Sequence, residues 1–180
     1  VRYHVEIELL VVSPRHAYFG RPKEGPAGDV ATHTLDHVDV VADKGIRGDR
    51  FFGVCAHTEA AVTFLAIEAW QAAAGDADPV LARRNIVVRG LELDPLRGVE
   101  FVVDTDDGPI RFLGGRPAHP CSWMDATAGA GVRKALIGRG GLRARPLTSG
   151  VLRVGPAVIT ADVDLDAARA ADQVRRAQPL

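Results

Sequence analysis

The most chemically loaded position in the chain is Cys121, set behind Pro120. A thiol of ordinary pKa, about 8.5, is only slightly ionised at neutral pH, so ligating a metal or carrying a persulfide requires cationic neighbours or the metal itself. His119, Arg116 and Arg143 are the candidate helpers. By composition alone the same cysteine reads first as an inert packed side chain, because free cysteine is among the most buried residue types.

A second block, Gly45-Ile46-Arg47-Gly48-Asp49-Arg50, puts glycines where backbone can bend tightly and sets two guanidiniums around one carboxylate. It reads either as a turn whose N–H groups and arginines cradle an anion, or as a strand-ending turn in which Asp49 pairs with Arg50 and caps its own loop. Arg84 and Asn85 carry the same choice, between phosphate ligands and, over Arg83 to Asn85, a solvated helix end. A phosphate dianion calls for bidentate arginines. Gly138-Arg139-Gly140-Gly141 looks like a phosphate loop but lacks the lysine and the spacing of one. His33, His37 and His57, with Asp36 or Glu59, match no zinc spacing. Cys55 stands in no motif and is read as structural.

These residues need a frame to bring them together. Val5, Ile7, Leu9 and Val11 occupy every second position of a half-buried strand that ends at Val12, and Ser13 to Thr34, rich in proline and glycine, reads as a long loop. Val38 and Val40 mark a second strand leading into the Asp43–Gly45 turn. Val62 to Leu65 is a short strand, followed by a helix with Ile67, Trp70 and Ala74 on one face that stops at Gly75. Asp78-Pro79 caps a second short helix reaching Arg83 or Arg84.

Further strands are expected at Asn85 to Val88, Val99 to Val103 and Ile110 to Leu113, the last two joined by an Asp104–Gly108 hairpin turn. A helix over Asp125 to Ile137 is broken by Gly129 and Gly131. Leu142 to Leu147 and Val151 to Ile159 read as a closing hairpin that turns at Ser149-Gly150, and a thin apolar stripe predicts a helical tail over Asp164 to Arg176. Seven or eight short strands with two or three helices imply a predominantly β, α+β fold on a barrel or strongly curved sheet.

The length of 180 residues suits one domain, with a motif-bearing core at 35–160 and the tail at 161–180. With 22 basic and 23 acidic residues there is no overall positive field for nucleic acid, so any anion site must be local. No apolar run approaches a membrane span and no signal peptide is legible. Two cysteines without a C-x-x-C pairing are expected to be reduced thiols, and the expected location is cytoplasmic.

Three blocks fall in a telling order: Gly45 to Arg50, then Arg84-Asn85-Ile86-Val87-Val88, then Pro120-Cys121 followed by Gly140-Gly141-Leu142-Arg143-Ala144. In this the chain, from about Leu35 to Val158, resembles the MOSC family, named for the C-terminal domain of molybdenum cofactor sulfurases. The chain departs from that pattern where Pro156 follows Gly155, and where Ala118-His119 stand nearer the cysteine than Arg116. The resemblance implies a MOSC-type β-barrel with a few peripheral helices. It implies molybdenum cofactor as the ligand, Cys121 as catalytic thiol and molybdenum ligand, and Arg47, Gly48, Asp49, Arg50, Arg84, Asn85 and Arg143 as cofactor-binding residues. Pyridoxal phosphate is not expected, since the Schiff-base lysine of the sulfurases lies in a separate N-terminal domain and Lys23, Lys44 and Lys134 sit in no such context.

Three activities fit the resemblance. Cys121 ligates molybdenum in an oxidoreductase that removes oxygen from N-oxygenated compounds, with a reductase as electron donor. Alternatively Cys121 carries a persulfide, received from a cysteine desulfurase and delivered to another molybdenum centre. The third is a non-catalytic module that binds the cofactor.

Overall fold

The computed structural model describes residues 1–174. Its strands are β1 (Arg2–Val12), β2 (His33–Leu35), β3 (His37–Val41), β4 (Gly45–Ile46), β5 (Val62–Ala66), β6 (Ile86–Arg89), β7 (Glu100–Asp104), β8 (Ile110–Pro117), β9 (Leu142–Pro146), β10 (Gly150–Arg153) and β11 (Gly155–Ala161). Its helices are α1 (Ile67–Ala74), α2 (Trp123–Ala128) and α3 (Val132–Ala135). Among the described residues, seven strands run β1-β11-β7-β8-β9-β5-β6 and close back on β1, so the β-barrel with peripheral helices is the observed architecture. No helix among the described residues is long and apolar enough to cross a membrane.

Closure follows from side-chain alternation. Ile7, Phe64, Phe101, Phe112, Leu142 and Ile159 all point inward and are almost fully buried. Phe64 meets Phe112 edge-on at 5.3 Å and Phe101 at 5.5 Å, an aromatic centre of the kind that adds to simple area burial. Outward residues of β5 and β6, Leu65 and Val87, pack with Ile67, Trp70, Met124, Val132 and Leu136 into a second cluster between barrel wall and helices. The wall is thus apolar on both faces, which is why Val62 to Ala66 reads as a continuous run instead of an alternation. β5 and β6 are parallel, as a helical crossover between them requires.

Several expectations stand. The Asp104–Gly108 segment is a hairpin turn joining antiparallel β7 and β8. Asp78 Oδ1 accepts from Val80 N at 3.0 Å, capping a single 3-10 turn at Pro79–Ala82. The helix expected over Asp125 to Ile137 is split between α2 and α3 around Gly129 and Gly131, and begins at Trp123.

Other expectations are corrected. β9 and β10 do not form a hairpin: β9 pairs with β5 and β8, β10 pairs with β3 in a small three-stranded sheet, and β11 returns to the barrel between β1 and β7. The chain changes sheets at Val154-Gly155, where Gly155 takes φ +118°. The expected helix over Asp164 to Arg176 is one 3-10 turn, Ala167–Arg169, in its described part, and residues 175–180 lie outside the described residues. Its thin stripe gave way to tertiary contacts, with Ala170 joining the barrel core and Val174 N donating to Gly138 O at 3.0 Å.

Candidate functional site

The sequence-predicted residues come from the turn after β4, the entry to β6, the loop after β8, and β9. The 45–50 turn leaves β4 through Gly48 at φ +87°. The Asp49 carboxylate is buried and accepts from Ser13 N and Phe51 N, both at 3.2 Å. Arg50 Nη1 lies 3.6 Å from Asp49 Oδ1. The turn therefore caps itself through Asp49, while Arg47 points to the surface over the Phe52 ring. Arg50 is different: its guanidinium lies 4.7 Å from the Phe51 centroid, and its Nε is buried with no hydrogen-bond partner among the described residues. A buried donor left unmet costs free energy and calls for an explanation.

Asn85 is in the wall. Its Oδ1 accepts from Thr63 N and Thr63 Oγ1, and its Nδ2 donates to Val11 O at 3.1 Å, so the amide clamps β1, β5 and β6 together. The geometry gives Asn85 a structural task. Arg83 and Arg84 are not a solvated helix end. Arg83, in the left-handed region at φ +52°, donates to Thr32 Oγ1, Ser13 Oγ and Arg15 O and so pins the long 13–34 loop. Arg84 donates to the carbonyls of Ala82, Ala118, His119 and Gly140.

Two of those bonds, to Ala118 O and His119 O, hold the segment that leads to Cys121. Arg84 has no carboxylate partner among the described residues; burial, then repulsion from Arg143, brings its pKa down to about 10, against attraction to the Cys121 thiolate. It stays protonated at neutral pH, a fixed cation within electrostatic reach of the thiol. Cys121 itself is exposed, and its carbonyl accepts from Met124 N at 3.0 Å at the start of α2. Gly140 and Gly141 serve backbone packing here: a Cβ on Gly140 would stand 2.4 Å from Ala118 O, and one on Gly141, at φ +106°, 2.1 Å from Phe64 O. This accounts for the glycine run without an anion.

Tyr18 and Trp123 complete the surroundings, their rings stacked at 5.1 Å and 7°. Tyr18 OH donates to Leu81 O, and burial raises its pKa. Neither residue carried a sequence signal, since Tyr18 lies in a loop without periodicity. Arg143 is half-buried and, like Arg116, has no hydrogen bond or ion pair from its side chain among the described residues; burial and then Arg116 lower its pKa. Five arginines (50, 83, 84, 116 and 143) are thus linked electrostatically one to the next, with the Asp49 carboxylate coupled to Arg50 and Arg83. Such a cluster can hold an anion locally although the chain's net charge is near zero. A larger cavity of about 960 Å³ lies behind the loop, against Pro117 to Pro120 and Gly138 to Gly141, with largely apolar walls that do not include Cys121.

His16, edge-on to Phe51 at 5.3 Å, reports on this field. Burial, then Arg50 and Arg83, lower its pKa, with Asp49 opposing. The folded imidazole binds its proton less tightly than the unfolded chain does. Its contribution to stability is therefore fully present above about pH 6.5 and lost as pH falls through the lower folded value. An NMR titration of His16 is expected to give a midpoint below 6.5, moving upward in Arg50→Met; a midpoint at or above 6.5 in the wild type contradicts this electrostatic picture.

No sequence-family model and no curated protein matches the chain. Solved structures do. The YuaD protein of Bacillus subtilis superposes with a TM-score of 0.67 at 16% identity, covering 91% of this chain and 99% of that one. YiiM of Geobacillus stearothermophilus gives 0.56 at 18% identity, covering 87% and 75%. YiiM of Escherichia coli gives 0.53 at 17%, covering 95% and 76%. At such identities the likeness is one of fold, and it supports the MOSC-like barrel.

Proposed function

We propose that the chain binds molybdenum cofactor, with Cys121 as the thiolate ligand and Arg50, backed by Arg84, at the seat of the cofactor's phosphate. The observation that carries this reading is an exposed thiol within electrostatic reach of the Arg84 guanidinium, which is itself coupled to Arg143 and to Arg50, whose buried Nε has no partner among the described residues. These residues fit the group: soft sulfur suits the metal, and arginine suits the phosphate. Bound, the cofactor would supply two-electron oxygen-atom removal from N-oxygenated compounds such as N-hydroxylated bases or amidoximes, fed by a reductase.

The chain's own residues do the rest. Arg84 fixes the Ala118 and His119 carbonyls and so the approach to the thiol. Arg50 has a donor to offer a phosphate. Asp49 keeps the Arg50 segment in place by holding Ser13 N and Phe51 N. Arg47, Gly48 and Asn85 belong to the supporting turn and wall.

Exposure of Cys121 favours a second reading, a persulfide carrier, because a carrier thiol must be reached by donor and acceptor proteins. Expression in a cofactor-replete host, followed by metal analysis and pterin fluorescence, separates the two. Molybdenum and pterin near one per chain are expected. A protein free of both, whose Cys121 gains sulfur from a cysteine desulfurase and passes it on, would replace the first reading with the second.

A further inference from the structure

We infer that Arg116 and Arg143 form an oxyanion subsite that selects substrates bearing a phosphate or carboxylate. The inference rests on the reading of Cys121 as the cofactor-bound centre. The β8–β9 ladder pairs Gly114 with Ala144 and Pro117 with Leu142, which leaves Gly115 and Arg116 opposite the single residue Arg143. Two residues against one is a β-bulge, a device that re-aims side chains at a sheet's working edge. Here it sets Arg116 opposite Arg143 on neighbouring strands, near enough that the charge of Arg116 lowers the Arg143 pKa. Gly115 permits the approach, since a Cβ there would stand 3.0 Å from Glu59 O and 3.2 Å from Arg143 O.

Two like charges held together need a partner, and the described residues supply none. Glu59 lines the same cleft as Arg116, but its Oε1 accepts from Arg145 Nη1 at 2.7 Å. Arg83 and Arg84 are spent on loop and backbone oxygens, whereas Arg116 and Arg143 keep their donors. Arg116 also lines a cleft of about 410 Å³ with Ala56, Glu59, Ala60 and Gly115, which gives a ligand room on that side. One oxyanion bridging two planar guanidiniums satisfies both charge and geometry.

The oxyanion has two sources, the substrate or the cofactor's own phosphate, and the double variant Arg116→Gln/Arg143→Gln distinguishes them. In cofactor-loaded protein, wild type is expected to prefer the monophosphate of an N-hydroxylated nucleoside over the neutral nucleoside in kcat/KM by about tenfold or more, and the variant to lose that preference while keeping its molybdenum and pterin. Loss of the cofactor from the folded variant would assign the pair to the cofactor's phosphate and overturn the inference. An equal preference in both proteins would overturn it as well. Should wild type carry no cofactor, the cofactor reading fails separately, and inorganic phosphate binding to the cofactor-free protein decides. A roughly tenfold weaker affinity in the variant supports the subsite, and unchanged affinity removes it.

Discussion

Cys121→Ser is expected to strip the purified protein of most of its molybdenum while leaving the barrel folded. The thiol is exposed and belongs to neither hydrophobic cluster, so the swap removes no packing. The segment around it is held by the main chain, through Met124 N to Cys121 O and the grip of Arg84 on Ala118 O and His119 O. A serine hydroxyl is hard and stays protonated, so it replaces the volume of the thiolate but not its ligand chemistry. Metal analysis should show molybdenum falling to a small fraction of wild type, with a thermal midpoint within about 2 °C. Alkylation of Cys121 should proceed in cofactor-free wild type and be blocked once cofactor is loaded. Equal molybdenum in folded wild type and variant would remove Cys121 from the metal.

Asp49→Ala should cost stability on a scale no surface carboxylate can match. The Asp49 and Arg50 side chains are 1% and 13% exposed, so removing the carboxylate strands a buried guanidinium. Ser13 N and Phe51 N lose their acceptor in the same step. A buried pair need not stabilise relative to apolar residues, but breaking one by deleting a partner typically costs about 3–5 kcal/mol. Denaturant unfolding of the wild type and Asp49→Ala measures this directly. A difference below about 1 kcal/mol would mean that water reaches Arg50 and that the pair behaves as an exposed one. Asp49→Asn, which keeps an acceptor oxygen for the backbone, should fall between the two.

Local signals in the chain were sufficient for local structure. The strand β1 is read from the alternation of Val5 and Ile7, although a bulge between Ile7 and Leu9 hands the barrel-facing side to Leu10 and Val12 and turns Leu9 toward the second cluster. The Asp-Gly step between β7 and β8 specifies its hairpin, and Asp78 with Pro79 marks a cap that forms as expected. Each depends on residues within a few positions of one another, where backbone sterics and short hydrogen bonds decide. The ordered blocks around Arg50, Arg84 and Cys121 likewise marked the segments that meet at the candidate site.

Partnership between distant segments was decided only by tertiary closure. Nothing within Leu142 to Ile159 says that β9 belongs to β5 and β8 while β10 leaves for β3, because a strand's alternation defines its faces and not its neighbours. Arg83 and Asn85 look solvated in sequence, yet one pins the 13–34 loop and the other clamps three strands, since their partners Ser13, Thr32, Thr63 and Val11 come from elsewhere. The convergence of Arg50, Arg84, Arg116 and Arg143 is of the same kind. Guanidiniums far apart in sequence share one field because the barrel wall and the loop beside it fold their segments together, and burial strengthens charges that would be screened on an open chain.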